Sequence, residues 1–272
     1  MSIITKIQVQ KLNKERFNIY TDSGNGEEYS FSVDADTLVK FNIQKGQSFV
    51  PFELEEILNA DQLRKAYLSS IVYLSRMMRT KKEIEQYLTK QEFLIETIQT
   101  TIIRLVEEGY INEEKYAESY VRTSINTTLK GPTVIKNELL AKGIHISVIE
   151  KSLNLFSKDK QIQHAISLCQ KKVSALSKYS TNQKKAKLEE LLRRKGYSTN
   201  ITSIAIEETH YESEEDDELQ ALLIHARKAK KKYEKFSGWE YNQKMKTVLF
   251  RKGFPIDLIE KAILILEEEE LN

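Results

Sequence analysis

Tyr73-Leu74-Ser75-Arg76-Met77-Met78-Arg79-Thr80-Lys81-Lys82-Glu83-Ile84-Glu85-Gln86-Tyr87-Leu88 closes one apolar helix and opens another. Upstream, Leu63, Ala66, Tyr67, Ser70, Ile71, Leu74 and Met77 recur at spacings of three and four, one face of a helix. Thr80 with Glu83 three residues on forms a capping box, so a second helix starts there with Ile84 and Leu88 on its buried side. A third run, Ile95, Ile98, Ile102 and Leu105, stops at Gly109. This is a unit of three short helices.

Working outward, the unit recurs. Four segments share an apolar residue, a leucine four on, then a lysine, a glycine and a bulky apolar residue. They are Ile84-Leu88-Gln91-Glu92-Phe93, Ile135-Leu139-Lys142-Gly143-Ile144, Leu188-Leu192-Lys195-Gly196-Tyr197 and Met245-Leu249-Lys252-Gly253-Phe254. The leucines lie 51, 53 and 57 residues apart. The glycine suits a helix C-terminus in the left-handed conformation, with the bulky residue folding back on the helix just left. In the first copy Glu92 replaces the glycine, which predicts a weaker or different cap. Gly131-Pro132 opens the second copy with proline at N1. Ser180 with Gln183 and Ser237 with Glu240 open the later two sooner. Longer helices at 116–125, 162–176 and 219–236 precede the last three copies, and shorter ones at 148–156, 201–206 and 256–266 follow them. Tandem units that each bury a face on a neighbour predict an elongated or curved array.

The opening reads differently. Ile3, Ile7 and Val9, then Phe17 and Ile19, then Tyr29, Phe31 and Val33 alternate with polar residues, and Gly24-Asn25-Gly26 supplies a turn. A three-stranded antiparallel sheet is expected, too small to stand alone. Asp34 should cap a short helix with Leu38, Val39 and Phe41 on its apolar side. Another short helix near 53–58 should lead into the repeats. The fold class is therefore mainly α: tandem three-helix repeats after a small N-terminal antiparallel β-sheet. The expected divisions are 1–60 for the sheet and its helices, then repeats at 61–109, 110–158, 159–213 and 214–272.

The 272 residues are 40% hydrophobic and 30% charged, which suits a helix-rich, well-solvated chain. No apolar run approaches the roughly 18 residues of a membrane span, and the N-terminus lacks a signal-peptide apolar core. A cytoplasmic protein is expected. Cys169, the one cysteine, falls in step with Ile162, Ile166 and Val173, as a core thiol would. His145, His164, His210 and His225 never stand three or four apart, and no phosphate-cradling loop or nucleophile elbow occurs. No metal, cofactor or catalytic site is expected, and the chain reads as non-enzymatic.

A net charge of +2 hides segregation. Residues 184–195 hold six bases against Glu189 and Glu190, and residues 227–235 hold six against Glu234. Between them 207–218 is acidic, as is 267–270. Such runs are usually solvated faces, yet bases recur at equivalent helix junctions: Arg76, Arg79, Lys81 and Lys82, then Arg122, Lys130 and Lys136, then Arg193, Arg194 and Lys230. Recurrence points to a positive stripe fitted to phosphates or to an acidic protein groove.

These residues carry a resemblance to the RecX family of regulators of the RecA recombinase. It rests on Ala66 with Tyr73-Leu74-Ser75-Arg76, the Arg79-Thr80-x-x-Glu83 junction and Leu105-x-x-x-Gly109-Tyr110-Ile111-Asn112. It continues through Tyr116-Ala117-x-x-Tyr120-Val121-Arg122, Lys130-Gly131 and Glu138-Leu139-x-x-Lys142-Gly143-Ile144. The sheet and the fourth repeat look like the longer Gram-positive form. The chain departs from the family in having Met77 and Met78, not bases, after Arg76. The resemblance implies a monomer that lodges in the groove of the RecA–single-stranded-DNA filament. There it would limit filament growth, ATP hydrolysis, strand exchange and co-protease activity. The family brings no catalytic residues, so Arg76, Arg79, Lys81, Arg122, Lys130, Lys136, Arg193, Arg194 and Lys230 stand as contact candidates for RecA or single-stranded DNA. Direct DNA binding through helix-turn-helix-like repeats, or a plain protein scaffold, are the competing readings.

Overall fold

The structure is a computed structural model that describes residues 2–211 and 215–271. Glu212, Ser213 and Glu214, within the acidic run, lie outside the described residues. The chain divides into two compact units, residues up to Tyr116 together with Lys142–Ile144, and Ala117–Ala141 together with His145–Asn272.

In the first unit, β1 (Ile3–Val9), β2 (Arg16–Asp22) and β3 (Glu27–Asp34) form an antiparallel sheet in sequence order. Ile7 pairs with Ile19 and Ile19 with Phe31, so alternation puts one apolar row on one face. Ile4, Ile19, Phe31 and Val33 are buried there beneath Ile43 and Ile57. Asp34 accepts the Thr37 N–H and caps α1 (Ala35–Lys40), as expected. Leu38 and Phe41 pack on the sheet's core, but Val39 is exposed because the one-and-a-half-turn helix presents only a narrow inner face.

One expectation fails outright. The helix near 53–58 and the helix ending at Leu74 are a single element, α2 (Pro51–Leu74). Asn59-Ala60-Asp61-Gln62 contains no glycine or proline to stop a helix, and Asp61 is buried. It accepts from Arg16 at 3.0 Å, from Lys65 at 2.9 Å and from the Asp34 N–H at 2.9 Å. Ile57 of α2 belongs to the sheet's core, and Ala66 to the first repeat's. Met77 falls beyond the helix end and is exposed, against the sequence reading.

The first repeat continues with α3 (Lys81–Thr89) and α4 (Ile95–Glu107). Ala66, Ile84, Leu88, Ile98, Leu105 and Ile111 form its core, whereas Ile95 starts α4 in solvent. Then come α5 (Glu113–Thr127), α6 (Pro132–Ala141) and α7 (Ile146–Leu153). In the second unit, α8 (Lys158–Val173), a 3-10 turn at Ser174–Leu176, α9 (Thr181–Lys195) and α10 (Thr199–Glu207) enclose Ala165, Cys169, Leu188, Leu192 and Tyr197. The last repeat, α11 (Glu215–Tyr233), α12 (Gly238–Phe250) and α13 (Ile256–Leu271), encloses Leu222, Met245, Leu249, Phe254 and Ile259. Ser237 precedes α12 but makes no side-chain capping bond, so that expected cap is absent.

Candidate functional site

In the second unit the repeats are joined by one device used twice. A helix leaves its first N–H groups and last carbonyls without partners. Here the two kinds of end meet. The Gly131 N–H, just before α6, donates to the Lys195 carbonyl at the end of α9 at 2.7 Å. Thr133 N–H donates to Gly196 O at 3.1 Å, and Tyr197 OH to Leu129 O at 3.2 Å. At the next joint Ser180 Oγ donates to Lys252 O at 2.7 Å and Asn182 Nδ2 to Gly253 O at 3.1 Å. Positive and negative helix ends also attract each other, which adds to the bonds.

Within the first unit the Lys142–Ile144 segment lies against the start of α3 through side chains. Lys142 Nζ donates to Glu83 Oε1 at 2.9 Å, while the other oxygen of Glu83 accepts the Thr80 N–H at 3.0 Å. Burial alone would raise the Glu83 carboxyl, but Thr80 and Lys142 hold it below the usual carboxylate range. Burial alone would lower the Lys142 ammonium, but Glu83 and Tyr116 raise it above the usual lysine value. Gly143, Gly196 and Gly253 all hold positive φ, at 82°, 88° and 78°.

The joints explain the glycines more fully than conformation does. A Cβ at Gly143 would stand 3.0 Å from Lys82 Cβ, and one at Gly196 would stand 2.7 Å from Val134 N. Gly131 is not left-handed, yet its Cβ would lie 2.5 Å from Gly196 C and O. Glu92 in the first copy also adopts a left-handed φ, 63°, and is exposed. The turn survives there without glycine, at a cost in strain, because no earlier repeat crowds the position.

The candidate bases divide by what they touch. In the first unit Arg76 is exposed and forms no ion pair. The Arg79 guanidinium lies 4.2 Å from the centroid of the Tyr73 ring, and Tyr73 stacks on Tyr87 at 4.0 Å, so Arg79 caps a three-layer stack. Its Nε is buried without a hydrogen-bond partner. Lys81 pairs with Glu113 at 3.4 Å. In the second unit Arg122 on α5 and Arg193 and Arg194 on α9 are exposed and form no ion pair with a described residue. Lys130 pairs with Glu138 at 2.6 Å, whose other oxygen accepts Tyr120 OH at 2.9 Å. Lys136 pairs with Glu150 at 3.2 Å, and Lys230 donates to the Leu266 carbonyl at 2.8 Å. The Gly131–Lys195 bond sets Lys130 beside residues 193–195. Sequence spacing alone did not reveal this meeting of bases from different repeats. Glycine at position 131, where proline at N1 already opens the helix, was the available signal.

Exposed guanidinium and ammonium groups of this kind suit anions. Among the described residues no group of three His, Cys, Asp or Glu side chains could hold a metal ion. Cys169 is buried, and burial pushes its thiol up, away from the reactive thiolate. No helix among the described residues is long and apolar enough to cross a membrane.

Four family descriptions match the chain. The regulatory protein RecX N-terminal domain matches residues 2–49, and the first and second RecX three-helix domains match 66–105 and 112–153. The third RecX three-helix domain matches 215–263, which is the fourth repeat here; α8, α9 and α10 lie between the second and third matches. The regulatory protein RecX of Bacillus cereus is 47% identical over 270 residues, 99% of this chain and 100% of the relative. That of Bacillus cytotoxicus is 45% identical over 269 residues, again 99% and 100%. A crystal structure of regulatory protein RecX superposes with a TM-score of 0.66 at 33% identity, covering 76% of this chain and 100% of that one. RecX from Lactobacillus salivarius superposes at 0.53 and 37% identity, covering 55% and 97%.

Proposed function

The chain belongs to the RecX family, whose curated relatives are named regulatory proteins, and from that membership we propose that it restrains RecA by binding the RecA–single-stranded-DNA filament. It lies in the filament groove and bridges neighbouring subunits, which limits filament growth, ATP hydrolysis, strand exchange and co-protease activity. It acts as a cytoplasmic monomer and without catalysis of its own. The repeats at 61–109, 110–158, 159–213 and 214–272 are its contact modules, and several weak contacts along one groove add as avidity.

The observation that carries this reading is the set of exposed arginines, Arg76, Arg122, Arg193 and Arg194, that pair with no carboxylate among the described residues. A guanidinium keeps its charge and offers a planar fork to carboxylates and phosphates. Lys130 and Lys136 contribute only by leaving Glu138 and Glu150.

Co-sedimentation with RecA filaments, with bare single-stranded DNA and with neither tests the proposal. The protein should pellet with filaments and slow RecA ATP hydrolysis. Changing Arg122, Arg193 and Arg194 together to glutamate should raise the concentration needed for inhibition at least about tenfold, because several exposed charges are reversed at once. Stability should move within about 0.5 kcal/mol per site. Absence of both pelleting and inhibition would overturn the reading. Undiminished inhibition by the folded triple variant would exclude these arginines as the contact.

A further inference from the structure

The last repeat carries a feature that the RecA reading does not use. Trp239, the only tryptophan in the chain, is 77% exposed near the start of α12. Phe250, at the end of α12, is 59% exposed. The two are eleven residues apart, three turns of helix, so they share one face about 16 Å apart along the axis. Gln243 and Thr247, both exposed and polar, lie between them on that face. Neither aromatic contributes to the repeat's core, which is closed by Met245 and Leu249 on the opposite side of the helix.

Cations surround this face. A cleft of about 550 Å³ is lined by Tyr233, Trp239, Lys244, Thr247 and Arg251, with Glu240 its one acid, paired to Lys244 at 3.3 Å. Arg251 is exposed and forms no ion pair with a described residue. Towards the turn into α12, Lys232 and Lys235 are exposed on either side of Glu234 and lie over the Tyr233 and Phe236 rings at 5.5 and 5.8 Å. The neighbouring cleft of about 510 Å³ beyond Phe236 sets Arg227, Lys230 and Lys231 against Glu234, Glu267 and Glu269, so its charges balance, whereas the Trp239 cleft sets Lys244 and Arg251 against Glu240 alone. A protein-docking hot spot would also use tryptophan and arginine, but lysine is depleted at the centre of such interfaces. Spaced aromatic faces flanked by mobile ammonium groups suit a flexible polyanion with flat bases.

We propose that the outer face of α12 is a binding site for single-stranded nucleic acid. Bases stack on Trp239 and Phe250, and Lys232, Lys235 and Arg251 hold phosphates. The site does not depend on RecA, so it is tested without it.

The lone tryptophan is its own reporter. Titration of the full chain with an oligothymidylate of about 12 nucleotides at low salt should quench its fluorescence, and the quenching should fade as salt rises. An oligouridylate run in parallel separates DNA from RNA: equal quenching assigns the site to either strand, and a weaker response assigns it to DNA. Heparin and a DNA duplex are the controls, since both carry charge but offer no free base face. By anisotropy of a labelled oligothymidylate, Trp239→Ala should weaken binding about 5- to 150-fold, the loss of one stacked base. Trp239→Phe should restore part of it, and Phe250→Ala should weaken it independently. Failure to quench at any oligonucleotide concentration, quenching by heparin or duplex as strong as by the single strand, or unchanged affinity in Trp239→Ala would each overturn the proposal. Because the exposed indole lies outside the core, a binding loss with an unchanged melting curve is not a folding effect. RecA inhibition can persist if this site fails, so the two readings fall separately.

Discussion

Gly131→Ala isolates the joint between α6 and α9. The position is not left-handed, and alanine accepts the extended backbone favoured before a proline. In a free helix the change would cost only the modest preference of the cap position for glycine over alanine, about 0.5–1 kcal/mol. In this structure the new methyl would sit 2.5 Å from Gly196 C and O and 2.7 Å from Tyr197 N, all of them backbone atoms. Backbone cannot swing aside as a side chain does, so α9 must back away. That motion lengthens the bonds from Gly131 N to Lys195 O, Thr133 N to Gly196 O and Tyr197 OH to Leu129 O. At about 1 kcal/mol per bond, with overpacking of similar size, the cost should be about 2–4 kcal/mol. Urea unfolding reads the total, and hydrogen exchange at the Thr133 amide reads the joint itself. Gly109→Ala is the control, since its φ of +77° is strained for alanine but nothing lies within 4 Å of the added carbon. It should cost about 1–2 kcal/mol and leave Thr133 protected. If Gly131→Ala costs no more than about 1 kcal/mol and Thr133 exchange is unchanged, the end-to-end joint does not hold the repeats together.

Three further outcomes follow from the same geometry. Glu92→Gly should stabilise the chain by about 0.5–1 kcal/mol in urea, because it removes left-handed strain at an open site; a destabilised variant would mean that the Glu92 side chain contributes more than its backbone costs. Asp61→Ala should cost about 3–5 kcal/mol by thermal melting, since it leaves the largely buried Arg16 guanidinium with only the Ser32 carbonyl and no counter-charge, and removes the acceptor of the Asp34 N–H; a loss under about 1 kcal/mol would show water replacing the carboxylate. The Glu83–Lys142 pair should shape stability against pH at both ends. Glu83 is depressed when folded, so its contribution is present above its unfolded value near pH 4.3 and is lost as pH falls through the folded value. Lys142 is raised, so its contribution is present below about pH 10.4 and is lost as pH rises through the folded value. Glu83→Gln should flatten the acid limb of a stability–pH curve, and an unaltered limb would show that the pair does not carry it.

The one-dimensional pattern alone determined the elements of this protein. Apolar spacing of three and four, Thr80 with Glu83, Pro132, Ser180 and the lysine-glycine pairs are local signals, because a helix end must be satisfied within a few residues of itself. Alternation located β1, β2 and β3, but the irregularity between Ile4 and Lys6 buries Ile4 and leaves Ile3 and Val9 exposed, against the alternating row. Where nothing local punctuates the chain the reading failed: α2 runs through residues 59–62, where Asp61 is held by Arg16 and the Asp34 N–H, both distant in sequence. Tertiary structure also decided which bases are available. Lys130, Lys136 and Arg122 look alike in sequence, yet the first two face carboxylates of neighbouring helices and the third does not. The meaning of Gly131 is likewise tertiary. Its chemistry is the absence of a side chain, and that absence matters only because the end of α9, more than sixty residues later in sequence, arrives within hydrogen-bonding distance of its amide.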